Sequence, residues 1–216
     1  PRLLLEEDPA EGLHAGQLHW EGITDNNLNK ALGARIGFLP FANSSLEIGV
    51  TGQVSKVGDS PKTPDGPAPN KDVKATYYGA DLCYNTDVEA IKGSLIFRSQ
   101  YSGRKVDKVD YALTDSTTFT FDNKVSAWFA QLSYRPTQIR NKFIKKLELA
   151  ARYGQLDNPK GAKWGVDKSQ FALTLDYWIS WNAVVKLAYE QDTNHPDVGN
   201  SVKTPTRLLF QCAMGF

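Results

Sequence analysis

The sequence predicts an all-β fold in which about ten antiparallel strands run up and down within one domain, residues 1–216. Three observations predict it. Apolar and polar side chains alternate with a period of two in about ten segments, as they do in strands with one apolar face. No segment carries a convincing helical pattern. Polar connections separate the segments, and long and shorter connections mostly alternate along the chain.

Each predicted strand places its large apolar residues on one face. In chain order, the predicted strands are residues 17–21, 32–38, 46–55, 77–85, 91–98, 128–135, 147–154, 170–179, 185–190 and 207–216. In the last strand Leu208, Phe210, Cys212 and Met214 share one face, and this face continues to Phe216. This strand by itself is as consistent with the buried last strand of a soluble sandwich as with an outer face that meets lipid.

The connections fall into two groups by length. Long polar loops are predicted at residues 56–74, 103–124, 157–168 and 193–203, and shorter connections at 40–45, 86–89, 136–145 and 180–182. In an up-and-down meander, the long loops then lie at one end and the shorter turns at the other. Residues 1–14 are predicted to form a loop or an incomplete N-terminal segment, and residues 117–121 to extend the neighbouring strand.

Composition narrows the class of protein. Hydrophobic residues make up 41% of the 216 residues, and the mean hydropathy is -0.42. No apolar run approaches the roughly 20 residues of a membrane helix. The net charge of +1 argues against a nucleic-acid partner. The two cysteines, Cys83 and Cys212, are too few for a disulfide framework and are expected on opposite faces of their strands.

Aromatic residues favour a transmembrane β-barrel over a soluble barrel or sandwich with the same period. They lie near both ends of the predicted strands, as in the aromatic belts of outer-membrane barrels. On the short-turn side these residues are Phe38, Tyr84, Tyr134, Tyr177 and Phe216, and on the long-loop side Tyr101, Tyr153, Phe171 and Tyr189. Together with the loop asymmetry, they predict an antiparallel up-and-down transmembrane β-barrel in the bacterial outer membrane.

Several segments resemble one known family. Residues 147–154, Leu-Glu-Leu-Ala-Ala-Arg-Tyr-Gly, are similar to a strand of the phosphate-selective porin O and P family. Residues 171–189 resemble the hairpin that follows it, in which a Tyr-Trp pair precedes the tight turn. Residues 33–40 and the terminal Phe216 resemble Bacteroidota-type outer-membrane porins of this family. The resemblance runs from about Lys30 onward, and because family members are usually longer, it implies a C-terminal portion of a larger barrel or a chain with missing residues.

The polar face of such a barrel lines a water-filled lumen, where charged side chains are tolerated. The basic residues expected on this face are Arg35, Lys92, Arg98, Arg135, Arg152, Lys186 and Arg207. The acidic residues expected there are Glu47, Asp81, Glu148, Asp176 and Glu190. Basic rings attract anions, but most of these charges are expected to pair across strands, so any anion preference should be weak. Arg98 and Arg152 are expected at similar depth near the long-loop end, with Arg35 lower.

The predicted function is that of an outer-membrane porin through which small hydrophilic solutes diffuse passively. The alternatives are a non-conducting barrel that anchors or scaffolds a surface or secretion complex, and a soluble ligand-binding barrel. Expected partners are membrane lipid, small solutes or anions, and either further copies in a homotrimer or other membrane proteins. An enzyme, a cofactor and a metal are not expected, because His14, His19 and His195 lack ligand spacing and no nucleophile motif occurs.

Overall fold

The computed structural model describes residues 2–5, 16–21, 30–57, 72–114, 117–162, 164–195 and 204–215. These residues contain β-strands and two single turns of 3-10 helix, Glu89–Ile91 and Ile144–Lys146. The strands are β1 Arg2–Leu5, β2 Leu18–Glu21, β3 Leu32–Phe38, β4 Leu46–Lys56, β5 Lys74–Val88, β6 Gly93–Val106, β7 Tyr111–Thr114, β8 Thr117–Phe119, β9 Lys124–Arg135, β10 Leu147–Asp157, β11 Asp167–Ser180, β12 Ala183–His195 and β13 Thr206–Met214. Among the described residues, no helix has the length and apolar character needed to cross a membrane.

Nine of the strands form one antiparallel sheet in the order β13-β12-β11-β10-β9-β6-β5-β4-β3. Each strand pairs with its neighbour in the chain, except that the β7–β8 hairpin is inserted between β6 and β9. The prediction of an all-β, antiparallel up-and-down sheet is therefore confirmed. Within the described residues, the sheet ends at β3 and β13 and is not closed.

The register aligns the apolar side chains of all nine strands on one face. Leu149 lies opposite Leu175, which lies opposite Leu187, which lies opposite Phe210. The same holds across the other half of the sheet, where Val50 lies between Ile36 and Ala80. Side chains alternate between faces along every strand, so one consistent register separates an apolar face from a polar face over the whole sheet.

The N-terminal region and the β7–β8 hairpin differ from the prediction. Arg2–Leu5, which was expected to be a loop, is a strand that pairs with Leu18–Glu21. This pair forms a separate two-stranded sheet, so the meander has nine strands and not ten. Thr117–Phe119 pairs with Tyr111–Thr114 and does not extend a neighbouring strand. In each case, a local hairpin partner satisfies the backbone hydrogen bonds of the segment.

The central strands are longer than their alternation suggested. β6 continues through Gly103 and Arg104 to Val106. Around Gly103 and Arg104 the side chains on both faces are polar or small, so the sequence shows no apolar–polar alternation there. At its other end β6 begins at Gly93, because Ile91 belongs to a 3-10 turn. The short connections are 39–45, 89–92, 136–146 and 181–182, and the opposite end carries 57–73, 107–123, 158–166 and 196–205. The loop asymmetry therefore holds except that 136–146 is slightly longer than both 158–166 and 196–205.

The buried hydrophobic core lies at the long-loop end, and we call it the mouth cluster. It consists of Val57, Val73, Ala75, Val106, Val109, Tyr111, Phe121 and Ala162, with Leu18, Tyr77, Phe119 and Trp164 packed against it. Ala75 and Val106 are paired in register and project from the polar face of β5 and β6. The long loops therefore fold toward the polar face and bury its end. On the outside of this region, a hydrogen bond from Lys108 at 3.0 Å lowers the pKa of Asp122 below its usual range.

Candidate functional site

Burial is inverted between the two faces of the sheet. On the apolar face, Leu149 is 48% exposed and Leu187 is 44% exposed. Their neighbours on the polar face, Ala150 and Ala188, are only 6% and 5% exposed. A soluble sandwich buries its apolar face, since burial of apolar surface is the main favourable term in folding. Over the central strands of this sheet, the polar face is the sheltered one.

The polar face is concave. A cavity of about 220 Å³ is lined by side chains that five neighbouring strands, β9 to β13, project from this face. Five strands contribute side chains to this one cavity, so the polar face forms a recess there. A second cavity of about 440 Å³ lies further toward the long-loop end and shares Arg152 with the first. This concave polar face is the candidate functional site.

A row of cationic side chains crosses its centre. Arg98 on β6 lies opposite Gln131 on β9, and Gln131 lies opposite Arg152 on β10. We call these three residues the central arginine row. With neighbouring strands about 4.8 Å apart, the two arginines are separated by roughly 10 Å at the backbone. Within the described part of the chain, neither arginine forms an ion pair. The Arg152 guanidinium lies 3.8 Å from the centre of the Phe129 ring, so its described partner is an aromatic face and not a carboxylate. Among the described residues, no carboxylate therefore compensates the positive charge of either arginine.

Arg35 is neutralised on one side of this row. Its Nη2 atom donates to Asp81 Oδ2 at 2.7 Å and to Glu47 Oε1 at 3.1 Å. Gly49 makes room for the pair, because a Cβ atom at this position would lie 2.5 Å from Arg35 Nη2 and from the Asp81 carboxylate. The cluster carries a net negative charge, so Arg35 holds carboxylates together and is not free to bind a solute anion.

Two further predicted basic residues are paired on the other side of the row. Lys186 Nζ lies 3.5 Å from Asp176 Oδ2. Arg207 Nη2 lies 2.5 Å from Asp192 Oδ2 and 3.4 Å from Glu190 Oε2. The expectation that most lumen charges pair across strands therefore holds for Arg35, Lys186 and Arg207. It does not hold for the central arginine row.

Arg135 and Lys92 lie toward the short-turn end and differ in their placement. The Arg135 guanidinium stacks 5.1 Å from the centre of the Trp178 ring, whose Nε1 donates to Glu148 Oε2 at 3.0 Å. Lys92 is not on the polar face, contrary to the prediction. It occupies the turn before β6 with a left-handed φ of 50°, because the short connection must reverse within a few residues. Lys92 is therefore removed from the candidate site.

The predicted depth of the arginines also needs correction. Arg98 and Arg152 do share one level, but it lies near the middle of β6 and β10 and not near the long-loop end. Arg35 lies opposite Thr51 and, through it, Gly79, on the long-loop side of the row that contains Arg98. The error arose because the sequence pattern ended β6 too early.

Two basic residues of the polar face were missed. Arg104 and Lys168 were predicted to lie in loops, but they belong to β6 and β11. Arg104 is half-buried beside the mouth cluster and donates to Asn123 Oδ1 at 3.3 Å. Lys168 lines the 440 Å³ cavity. Continuation of the period from Gln100 could have found Arg104, and continuation backwards from Gln170 could have found Lys168.

Aromatic rings form two bands on the apolar face. On the long-loop side Trp128 contacts Tyr153, with ring centres 5.6 Å apart, and Tyr78 contacts Tyr101 at 6.2 Å. Tyr78 and Trp128 were not included in the predicted belt. On the short-turn side, Tyr134 donates to the carbonyl oxygen of Ile91 at 2.7 Å, and Phe143 and Tyr177 are 5.1 Å apart. Phe216, which was expected to complete this band, lies outside the described residues.

The thiols are separated as the alternation predicts. Cys83 pairs in register with Glu47 and Arg98 on the polar face, and Cys212 pairs with Val185 on the apolar face. Both are free cysteines. Among the described residues, no group of three His, Cys, Asp or Glu side chains could hold a metal ion.

The fold and the candidate site define an all-β protein with one antiparallel up-and-down sheet and a concave, charged polar face. Comparison with known proteins finds no family model that matches the chain and no curated protein that matches it.

Proposed function

We propose that the chain is part of an outer-membrane β-barrel porin of the type it resembles, through which small hydrophilic solutes diffuse passively. The observation that carries this proposal is the inverted burial: the apolar face is exposed over all nine strands, while the polar face is concave and charged. Lipid is the environment in which an exposed apolar face and a sheltered polar face are both favourable. The two aromatic bands support the same orientation.

Strand direction supports a larger barrel. β3 and β13 both run from the long-loop end to the short-turn end, so they would be parallel if they met directly. Outer-membrane barrels of bacteria keep antiparallel neighbours throughout. Closure of this sheet therefore requires an odd number of additional strands between β13 and β3. We propose that these strands complete the barrel.

The central arginine row gives the pore its selectivity in this proposal. Arg98 and Arg152 are uncompensated, whereas the charge clusters on either side contain as many carboxylates as cations or more. A local positive patch on this face favours anions weakly, and salt screens it. The identity of the anion does not follow from this arrangement.

Planar-bilayer recording tests the proposal. The protein, purified from outer membranes in detergent, should insert as channels with ohmic current and no requirement for a ligand or an energy source. Heat-denatured protein in the same detergent is the control. If the folded protein inserts into bilayers without conducting, the porin proposal fails.

The two native cysteines test the orientation of the faces. In lipid vesicles, a membrane-impermeant maleimide should modify Cys83, which projects into the aqueous polar face, and should spare Cys212. Mass spectrometry of the two cysteine-containing peptides measures each rate. In a soluble sheet the order would reverse, because Cys212 is the more exposed thiol. Faster labelling of Cys212 in vesicles would therefore contradict the membrane assignment.

The mouth cluster favours a second candidate function, that of a barrel whose loops form a docking scaffold. Loops that only border a pore do not need a common hydrophobic core. Here Tyr111 and Phe121 from the connection 107–123 and Ala162 from the connection 158–166 are buried in the same cluster. A packed loop layer provides a rigid surface for a partner. The bilayer recording separates the two functions, because a scaffold barrel inserts without conducting.

A further inference from the structure

We infer that residues 16–18 form a crossbar over the long-loop end of the polar face between β6 and β10–β12, and that this crossbar limits the size of the solutes that pass on that side. The inference deepens the proposed porin function, and its solute class is small molecules, with oligomers excluded. It is argued from three features: how Gly16 is held, where Gln17 lies, and which face both of them cover.

The crossbar is held by a buried hydrogen-bond network. Asn123 is 1% exposed, and its Nδ2 donates to the Gly16 carbonyl oxygen at 2.7 Å and to Tyr111 Oη at 3.3 Å. Its Oδ1 accepts from Arg104 at 3.3 Å. Because the buried Asn123 side chain forms hydrogen bonds with three groups, it holds the Gly16 segment more firmly than contacts at the surface would.

Gly16 is seated against aromatic rings. Its φ of 82° lies in the left-handed region, and a Cβ atom there would lie 2.8 Å from Phe121 Cζ and 2.9 Å from Tyr111 Cζ. Only glycine satisfies both conditions without a shift of the neighbours. Leu18, two residues further, packs against the same mouth cluster.

Gln17 extends the segment to the other half of the sheet. It lines a cavity of about 390 Å³ together with Leu156 on β10, Lys168 on β11 and Asn194 on β12. These three residues are paired in register on the polar face. The mouth cluster is built on the polar face of β5 and β6, on the far side of β9. Residues 16–18 therefore lie across the part of the concave face between β6 and β10–β12.

A solute that enters from the long loops between β9 and β12 passes beside this segment. The space there, about 390 Å³, is of the size that holds a small molecule. The crossbar lies nearer the opening than the central arginine row, so it selects by size before charge acts. It belongs to a hairpin that has no ladder with the nine-stranded sheet, so releasing it leaves that sheet intact.

Thiol accessibility tests the crossbar without requiring conduction. In the full chain with Cys83→Ser and Cys212→Ser, Asn194→Cys provides a thiol at the wall of the 390 Å³ cavity. It should react readily with a small methanethiosulfonate and slowly with a polymer-linked maleimide. Adding Asn123→Ala or, separately, Gly16→Val should raise the rate of the polymer-linked reagent about tenfold. Asn123→Ala removes the hydrogen bond that holds Gly16, and Gly16→Val places a side chain against the Phe121 and Tyr111 rings at a left-handed φ.

Matched controls separate release of the crossbar from unfolding. Gly52→Val should leave the rates of both reagents unchanged, because a Cβ atom at this position would meet nothing within 4 Å. Trp181→Cys, in the tight turn and 88% exposed, should react equally with both reagents in every background. An unchanged circular dichroism spectrum shows that the sheet remains folded.

The outcomes distinguish this inference from the proposed function. If the polymer-linked reagent reaches Asn194→Cys equally fast with and without Asn123→Ala and Gly16→Val, the crossbar is refuted, whatever the channels do. If accessibility changes as expected but no variant conducts in bilayers, the porin function fails while the crossbar stands. If channels form, the same variants should admit larger polyethylene glycols than the parent, and an unchanged exclusion limit would count against size selection.

Discussion

Replacement of Leu149 or Leu175 by arginine is expected to lower the free energy of unfolding in lipid by about 2–4 kcal/mol, the depth-dependent cost of a cation at mid-membrane. The two leucines lie opposite each other on β10 and β11, near the centre of the apolar face, and they are 48% and 44% exposed. A guanidinium at this level must either shed its hydration or drag water and headgroups toward the bilayer centre. Reversible urea unfolding in phospholipid vesicles measures the loss.

Thr174→Arg is the matched control, because Thr174 is adjacent to Leu175 in the chain and projects from the opposite face into the 220 Å³ cavity. Its cost should stay below about 1 kcal/mol, as for a substitution at a hydrated surface. Equal costs at positions 174 and 175 would refute the assignment of the faces to lipid and water.

The double replacement of Arg98 and Arg152 by glutamine should shift the reversal potential of the channel toward cations. The shift should be large near 10 mM salt, where the Debye length is about 30 Å, and small near 1 M, where it is about 3 Å. The physical reason is that these two guanidinium groups are the uncompensated charges at the centre of the concave face. Reversal potentials under a salt gradient, at both ionic strengths, measure the effect.

Two controls separate the effect of where the removed charges lie from the effect of how many charges are removed. Arg140→Gln with Lys142→Gln removes the same formal charge from the connection 136–146, off the concave face, and should leave selectivity unchanged. Lysine at positions 98 and 152 should preserve the anion preference, because the charge itself is kept. A reversal potential that does not move at low salt would show that Arg98 and Arg152 do not face the conduction path, and the scaffold function would gain support.

The period-two alternation by itself determined which face each strand residue occupies. Strand side chains alternate strictly, so the apolar positions of β10, β11 and β12 could be assigned before any pairing was known. Loop composition placed the long connections at one end of the sheet in the same local way, although it ended β6 too early. The opposite placement of Cys83 and Cys212 followed from the same parity. These are properties of neighbouring residues in the chain, and short-range chemistry is enough to predict them.

The tertiary structure decided what depends on contacts between distant residues. Arg35 is neutralised by Glu47 and Asp81 while Arg98 stays uncompensated, although the alternation treats both alike. Lys92 left the polar face because chain reversal demanded a left-handed residue there. The fixing of Gly16 by Asn123 joins segments more than a hundred residues apart in the chain. Which face is sheltered was also a tertiary outcome, because an amphipathic strand has the same pattern whether its apolar side meets a core or lipid, and only the curvature of the assembled sheet distinguishes the two.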